Sequence, residues 1–96
     1  MAIEPRGIVP ALVTPFNQDE SVNYSVLAGL IEHVLTAGVH GVFVLGSQGE
    51  YFAIDAEEKK GIIEATLDMV KGRVPVYAGT GATTTREAVS LTRMAE

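Results

Sequence analysis

Three short apolar runs divide this chain, and each is followed by a polar or glycine-rich break and then by a stretch where apolar residues recur every three or four positions. The first run, residues 7–13 (Gly-Ile-Val-Pro-Ala-Leu-Val), closes on Thr14-Pro15-Phe16 and a polar loop at 17–21. Pro10 lacks a ladder donor, so this strand belongs at an edge, at a bulge, or beside a neighbour that leaves the amide position unused. The second run, Val42-Phe43-Val44-Leu45, reads as a strand buried on both faces, and it stops abruptly at Gly46-Ser47-Gln48-Gly49-Glu50. The third, residues 74–78 (Val-Pro-Val-Tyr-Ala), runs into Gly79-Thr80-Gly81-Ala82.

Between the runs the period changes to that of helices. Asn23 is placed to cap a helix whose stripe is Val26, Leu27, Leu30, Ile31, Val34 and Leu35, with Gly38 as the stop. Asp55 with Glu58 three residues on has the form of a capping box. It opens a second helix with Ile62, Ile63, Thr66, Leu67 and Val70 inward, Glu57, Lys60, Glu64 and Lys71 outward, and Gly72 at its end. Thr84 and Glu87 repeat the box before a third helix with Ala88, Val89, Leu91, Thr92 and Ala95 inward. Strand and helix thus alternate three times at a period of about 34 residues, which predicts parallel strands joined by helices. The predicted class is α/β, the first three βα units of a (β/α)8 barrel. Such a barrel takes about 250 residues, so residues 1–96 are expected to be the N-terminal portion of one longer domain.

Composition narrows the partners. Hydrophobic residues make up 47% of the chain and charged ones 20%, with a mean hydropathy of +0.24, which suits buried strands under helices and not a disordered segment. Seven scattered Lys and Arg against twelve Asp and Glu give a net charge of −5, so nucleic acid is not an expected partner. Cysteine is absent, which removes disulfides and thiolate metal sites. No apolar run approaches the ~20 residues needed to span a bilayer. The start, Met1-Ala2-Ile3-Glu4-Pro5-Arg6, lacks the layout of a secretory signal, and a cytoplasmic protein without membrane partners is expected.

The chemistry-bearing residues gather at strand ends. Gly46-Ser47-Gln48-Gly49 offers a hydroxyl, a side-chain amide and several backbone N–H groups where parallel α/β folds bind ligands. Two readings stand side by side: a cradle for a carboxylate or phosphate, and a tight turn that only links strand to helix. A serine-hydrolase elbow is excluded because Leu45 stands where that motif needs a glycine. Gly79-Thr80-Gly81 lacks the third glycine of the dinucleotide fingerprint, and no Gly-Lys-Ser/Thr triplet serves a phosphate loop. His33 and His40 lack metal-pair spacing and read as structural or surface residues; no metal or cofactor is expected. Glu50 is expected to hold the turn by accepting backbone amides in preference to acid–base work. Lys59, Lys60 and Lys71 fall on the second helix, where lysines are usually solvated and none serves as a covalent nucleophile.

Three motifs in order, Ala11-Leu12-Val13-Thr14-Pro15-Phe16, Gly46-Ser47-Gln48-Gly49-Glu50, and Ala78-Gly79-Thr80-Gly81 followed by Thr84, Glu87 and Ala88, give the whole chain a resemblance to a known family. It resembles the dihydrodipicolinate synthase and N-acetylneuraminate lyase superfamily of pyruvate-handling class I aldolases. The resemblance implies a (β/α)8 barrel, usually a homotetramer, in which a lysine on a later strand forms a Schiff base with pyruvate and the resulting enamine adds to an aldehyde. It implies that Ser47 contributes a hydroxyl to the carboxylate site or a proton relay, that the amides of Ser47 and Gln48 hold the pyruvate carboxylate, and that Gly46, Gly49 and Glu50 shape the loop. Gln48 departs from the family's usual threonine, and the bulky Tyr51-Phe52 stands where lysine-regulated members carry small residues, so lysine feedback is not expected. The resemblance points first to 4-hydroxy-tetrahydrodipicolinate synthase chemistry. An N-acetylneuraminate lyase, a 2-keto-3-deoxy sugar acid aldolase and a non-catalytic oxo-acid-binding barrel remain open, as does a phosphate-binding barrel enzyme unrelated to aldolases. The lysine lies outside this chain, which alone is expected to be inactive.

Overall fold

A computed structural model describes residues 4–96; Met1, Ala2 and Ile3, read above for a targeting signal, lie outside the described residues. Helix α1 (Tyr24–Thr36) leads to strand β1 (Val42–Val44), then a 3₁₀ turn (Tyr51–Ala53), helix α2 (Ala56–Val70), strand β2 (Val76–Ala78) and helix α3 (Thr85–Ala95). Strands β1 and β2 are parallel, with Val42 opposite Val76, Phe43 opposite Tyr77 and Val44 opposite Ala78. The first apolar run lies along the other side of β1, also parallel, through a single bridge between Ala11 and Phe43. The molecule measures 36 × 35 × 20 Å, one layer of helices against one layer of strands.

The first run keeps its predicted place but not a continuous ladder. Leu12 N–H donates to the Phe43 carbonyl (2.9 Å) and Phe43 N–H to the Pro10 carbonyl (3.0 Å), which makes one parallel bridge. The bond one step earlier would need an N–H at Pro10, and proline has none. One step later, Leu45 takes a left-handed conformation (φ 63°) and leaves the ladder. The polar loop that follows is itself ordered: Phe16 and Val22 form an antiparallel bridge, and Asn17 N–H donates to the Ser21 carbonyl at 2.7 Å.

All three helices start where their capping residues predict. Val26 N–H reaches the Asn23 side chain at 3.0 Å, Glu58 N–H reaches Asp55 at 2.8 Å, and Glu87 N–H reaches Thr84 at 3.1 Å. Neither Glu58 nor Glu87 returns a side-chain bond to its cap, so each predicted box has one arm. Helix α2 ends at Val70 with Lys71 already left-handed (φ 53°), one residue before the expected Gly72.

The core is built by Leu12, Val42, Val44 and Leu45 from the strand layer, Leu27 and Ile31 from α1, and Ile62, Ile63 and Val70 from α2. Because strand side chains alternate, Ala11, Phe43 and Tyr77 share the opposite face. Val42 and Val44 are buried under the helices, whereas Phe43, on the other face of the strand, is half-buried within residues 4–96. Four helical positions expected to face inward are exposed, Val26 (53%), Leu67 (53%), Val89 (45%) and Thr92. Lys59, expected to be solvated, is 6% exposed.

Candidate active site at the strand ends

Both glycine-bearing loops leave their strands at the same end of the sheet. Strand β1 ends by a sharp change of direction at Leu45, which is buried although its left-handed backbone is unfavourable for a branched side chain. Gly49 N–H then donates to the Gly46 carbonyl (3.0 Å), closing a four-residue turn with Ser47 and Gln48 at its two central positions. Both residues are exposed. Among the described residues, the N–H groups of Gly46, Ser47 and Gln48 donate to no protein acceptor, and the Ser47 hydroxyl and Gln48 amide make no hydrogen bond. Several donors are thus unpaired on one turn, the electrostatic form of an anion-binding nest.

Glu50 shapes this loop differently from the expectation. Its carboxylate caps no amide; the contribution is a left-handed backbone (φ 55°) that starts the 3₁₀ turn. Three of the amides that follow Glu50 are engaged by carbonyls, Tyr51 N–H by Gly46, Ala53 N–H by Glu50 and Ile54 N–H by Tyr51. Glu50 instead borders a depression of about 210 Å³ with Phe16, Glu20 and Ala53.

The two loops touch backbone to backbone. Gly79 N–H donates to the Val44 carbonyl at 2.9 Å, and a Cβ on Gly79 would stand 2.2 Å from the Leu45 carbonyl oxygen. Only glycine allows that approach. The Thr80 hydroxyl shares a hydrogen bond with the Thr92 hydroxyl (2.9 Å), which ties the second loop to α3 and gives Thr92 a role other than burial. Tyr51 closes the gap on the far side: a Cβ on Gly81 would lie 3.4 Å from its ring, and the Lys59 ammonium sits 5.6 Å from the ring centroid. Phe52, beside it, is 73% exposed.

Sequence reading brought Gly46, Ser47, Gln48 and Gly49 together correctly as one loop, and it missed three supports. Leu45 had no signal, since an apolar residue ending an apolar run gives no hint of a positive φ. Thr14 is buried and donates to the Gly49 carbonyl at 2.7 Å, a contact across 35 residues that no local pattern contains. Lys59 reads as solvated by its charge, although it falls on the same helical stripe as Ile62, Ile63, Thr66 and Val70. His40 is structural as expected: its Nδ1 accepts the Ile8 N–H at 3.0 Å, at the other end of the strands.

Comparison with known proteins gives the family and the fold. The model of the dihydrodipicolinate synthetase family matches residues 4–96. The chain belongs to that family. Among relatives of this family, the 4-hydroxy-tetrahydrodipicolinate synthase of Methanopyrus kandleri is 41% identical over 97 aligned positions, covering 100% of this chain and 32% of the relative. That of Pseudomonas aeruginosa is 43% identical, covering 94% of this chain and 31% of the relative. The chain therefore spans about a third of the length of the curated relatives it matches. Solved family structures superpose closely. YagE, a prophage protein of the dihydrodipicolinic acid synthase family from E. coli K12 in complex with pyruvate, has a TM-score of 0.88 at 43% identity, covering 93% of this chain and 30% of that one. The dihydrodipicolinate synthase of Acinetobacter baumannii, also complexed with pyruvate, has a TM-score of 0.89 at 35% identity, covering 93% of this chain and 31% of that one. The three βα units described here are accordingly the first three of a (β/α)8 barrel of this family. No helix among the described residues is long and apolar enough to cross a membrane.

Proposed function

We propose that the protein containing these residues condenses or releases pyruvate through a lysine Schiff base, most like a 4-hydroxy-tetrahydrodipicolinate synthase. The observation that carries this reading is the turn at Gly46–Gly49, whose Ser47 and Gln48 amides are unpaired at the carboxyl end of a parallel strand. Donors so arranged suit a planar anion, and two of the similar structures hold pyruvate. In this reading the amides of Ser47 and Gln48 bind the pyruvate carboxylate. The Ser47 hydroxyl adds a further donor and a station for proton transfer, while Gly46, Gly49 and Glu50 set the loop.

The covalent step belongs to a lysine on a strand downstream of residue 96. Its amine adds to the pyruvate ketone and water leaves, giving an imine. The imine draws electrons from the methyl carbon, loss of a proton there gives the enamine, and the enamine carbon attacks the aldehyde carbonyl. Hydrolysis of the product imine returns the lysine. The cradle keeps the ketone within reach of the amine, which raises the effective concentration of the reacting pair. Residues 1–96 are the N-terminal portion of a single barrel domain and carry no turnover alone. The whole protein is read as a cytoplasmic homotetramer with pyruvate and an aldehyde as substrates and no cofactor. Lysine feedback is not part of this reading, since the bulky Tyr51-Phe52 follow Glu50.

Borohydride reduction of the complete protein in the presence of pyruvate is expected to add a stable adduct to a downstream lysine, read as a mass shift and mapped by peptide sequencing. An unmodified protein, under conditions that trap a control aldolase, refutes the proposal. The same reaction on residues 1–96 is expected to leave Lys59, Lys60 and Lys71 unmodified.

A further inference from the structure

We propose that Thr14 is a positioning residue for the carboxylate turn: its hydroxyl fixes the orientation of the Ser47 and Gln48 amides by holding the Gly49 carbonyl. This inference rests on the pyruvate reading of the turn and names a residue that does not touch the substrate.

Gly49 is the point where three segments meet. A Cβ there would lie 3.1 Å from the Leu12 carbonyl oxygen, 3.2 Å from the Thr14 hydroxyl and 3.3 Å from the Leu45 amide nitrogen. Its N–H closes the turn onto Gly46 at 3.0 Å, and its carbonyl accepts the Thr14 hydroxyl at 2.7 Å. Both ends of this residue are therefore held, one by the turn and one by the first apolar run. Thr14 is 7% exposed, and the hydroxyl is the partner of the Gly49 carbonyl among the described residues. Removing it leaves a buried acceptor without a donor, and the peptide can regain a partner only by rotating toward water. The Gly49 carbonyl shares its peptide plane with the Glu50 N–H, which donates to the Ser47 carbonyl at 3.0 Å, and that carbonyl shares its plane with the Gln48 N–H, so rotation at Gly49 releases the bond that orients the two central amides. Donor direction is what the cradle supplies, so affinity for the carboxylate is the quantity that suffers.

The test uses the complete protein with Thr14→Ser, which keeps the hydroxyl, Thr14→Cys, which offers a weaker donor, and Thr14→Val, which keeps the shape without a donor. The KM and Kd for pyruvate are expected to rise in the order Ser, Cys, Val. Val should reach on the order of tenfold above wild type and Ser stay within about twofold, a ratio matching the loss of one buried hydrogen bond. The KM for the aldehyde should stay level, and kcat at saturating pyruvate should fall less than KM rises. If Thr14→Val does not fold, the Ser and Cys pair still gives the ranking. Equal pyruvate KM in all three, or Ser as impaired as Val, overturns the proposal. Hydrogen exchange at the Gly49 and Glu50 amides, whose bonds to the Gly46 and Ser47 carbonyls (each 3.0 Å) hold the turn, measured without pyruvate, separates the two readings. Faster exchange in Thr14→Val than in Thr14→Ser supports the strut even if borohydride traps nothing on the wild type, and unchanged exchange overturns it.

Discussion

A methyl group on Gly79 would sit 2.2 Å from the Leu45 carbonyl oxygen and 3.3 Å from the Gly46 nitrogen, both of them backbone atoms that no rotamer change can move aside. Gly79→Ala is therefore expected to push the two loops apart, destabilising the protein by about 1–3 kcal/mol as an overpacked site and weakening pyruvate binding at the adjacent turn. Urea denaturation and pyruvate titration of the same variant check the two parts. Lys59 makes the opposite case, a residue whose charge hides its position. Its stem is buried with the α2 stripe and its ammonium lies over the Tyr51 ring. Lys59→Met keeps the buried stem and should cost no more than about 1 kcal/mol, the worth of the cation–π contact. Lys59→Glu places a carboxylate against the negative face of that ring and should cost about 3 kcal/mol or more. Thermal unfolding that ranks the two variants equally would contradict this account.

At the scale of elements, caps and periodicity explain most of what formed. Asp55→Ala removes the acceptor for Glu58 N–H and is expected to cost about 1 kcal/mol, measurable as a lower urea midpoint at unchanged slope. Thr66→Val in the same helix should be neutral within about 1 kcal/mol, because the Thr66 hydroxyl donates to the Ile62 carbonyl and its removal strands no buried group. The same periodicity sorts the misplaced residues. Leu67 lies on the stripe of Lys60, Glu64 and Lys71, which is the wet side, whereas Lys59 lies on the stripe of Ile62, Ile63, Thr66 and Val70. Counting by 3.6 would have placed both correctly; weighing them by side-chain type did not. In α3 the buried residue is Leu91, while Val89 and Thr92 line an open groove with Thr85, Ala88 and Arg93. Helix α1 carries an exposed ion pair between Glu32 and Arg73, whose hydrogen bond holds the Glu32 carboxyl below its usual range. Any stability it adds is present above the unfolded carboxylate pKa and lost as pH falls through the lowered folded value.

At the scale of the whole molecule, three units form an arc of barrel wall. Strand β2 pairs with β1 and with no other strand among the described residues, and the face carrying Ala11, Phe43 and Tyr77 lies away from the helices. Residues 1–96 expressed alone should therefore bind a dye for exposed apolar surface and self-associate through the β2 edge, in contrast to the complete protein. Dye fluorescence and size-exclusion chromatography test this, and a monodisperse, dye-silent fragment would argue that the arc closes on itself.

The order of elements, the three helix starts and the meeting of both glycine loops at one end of the sheet were legible in the sequence. All of them follow from short-range causes: a side chain capping an amide three residues on, a period of two or of 3.6, and a glycine where the chain must turn. The tertiary structure alone decided that the first run makes one bridge instead of a strand, that Leu45 turns left-handed, that Lys59 is buried, and that Thr14 holds Gly49. Each of these depends on what a distant segment brings to the same point, across 32 residues from Ala11 to Phe43 or 35 from Thr14 to Gly49. The turn at Ser47 and Gln48 joins the two kinds of determination. Its glycines mark it in the sequence, while the direction of its free amides is set by residues packed beneath it.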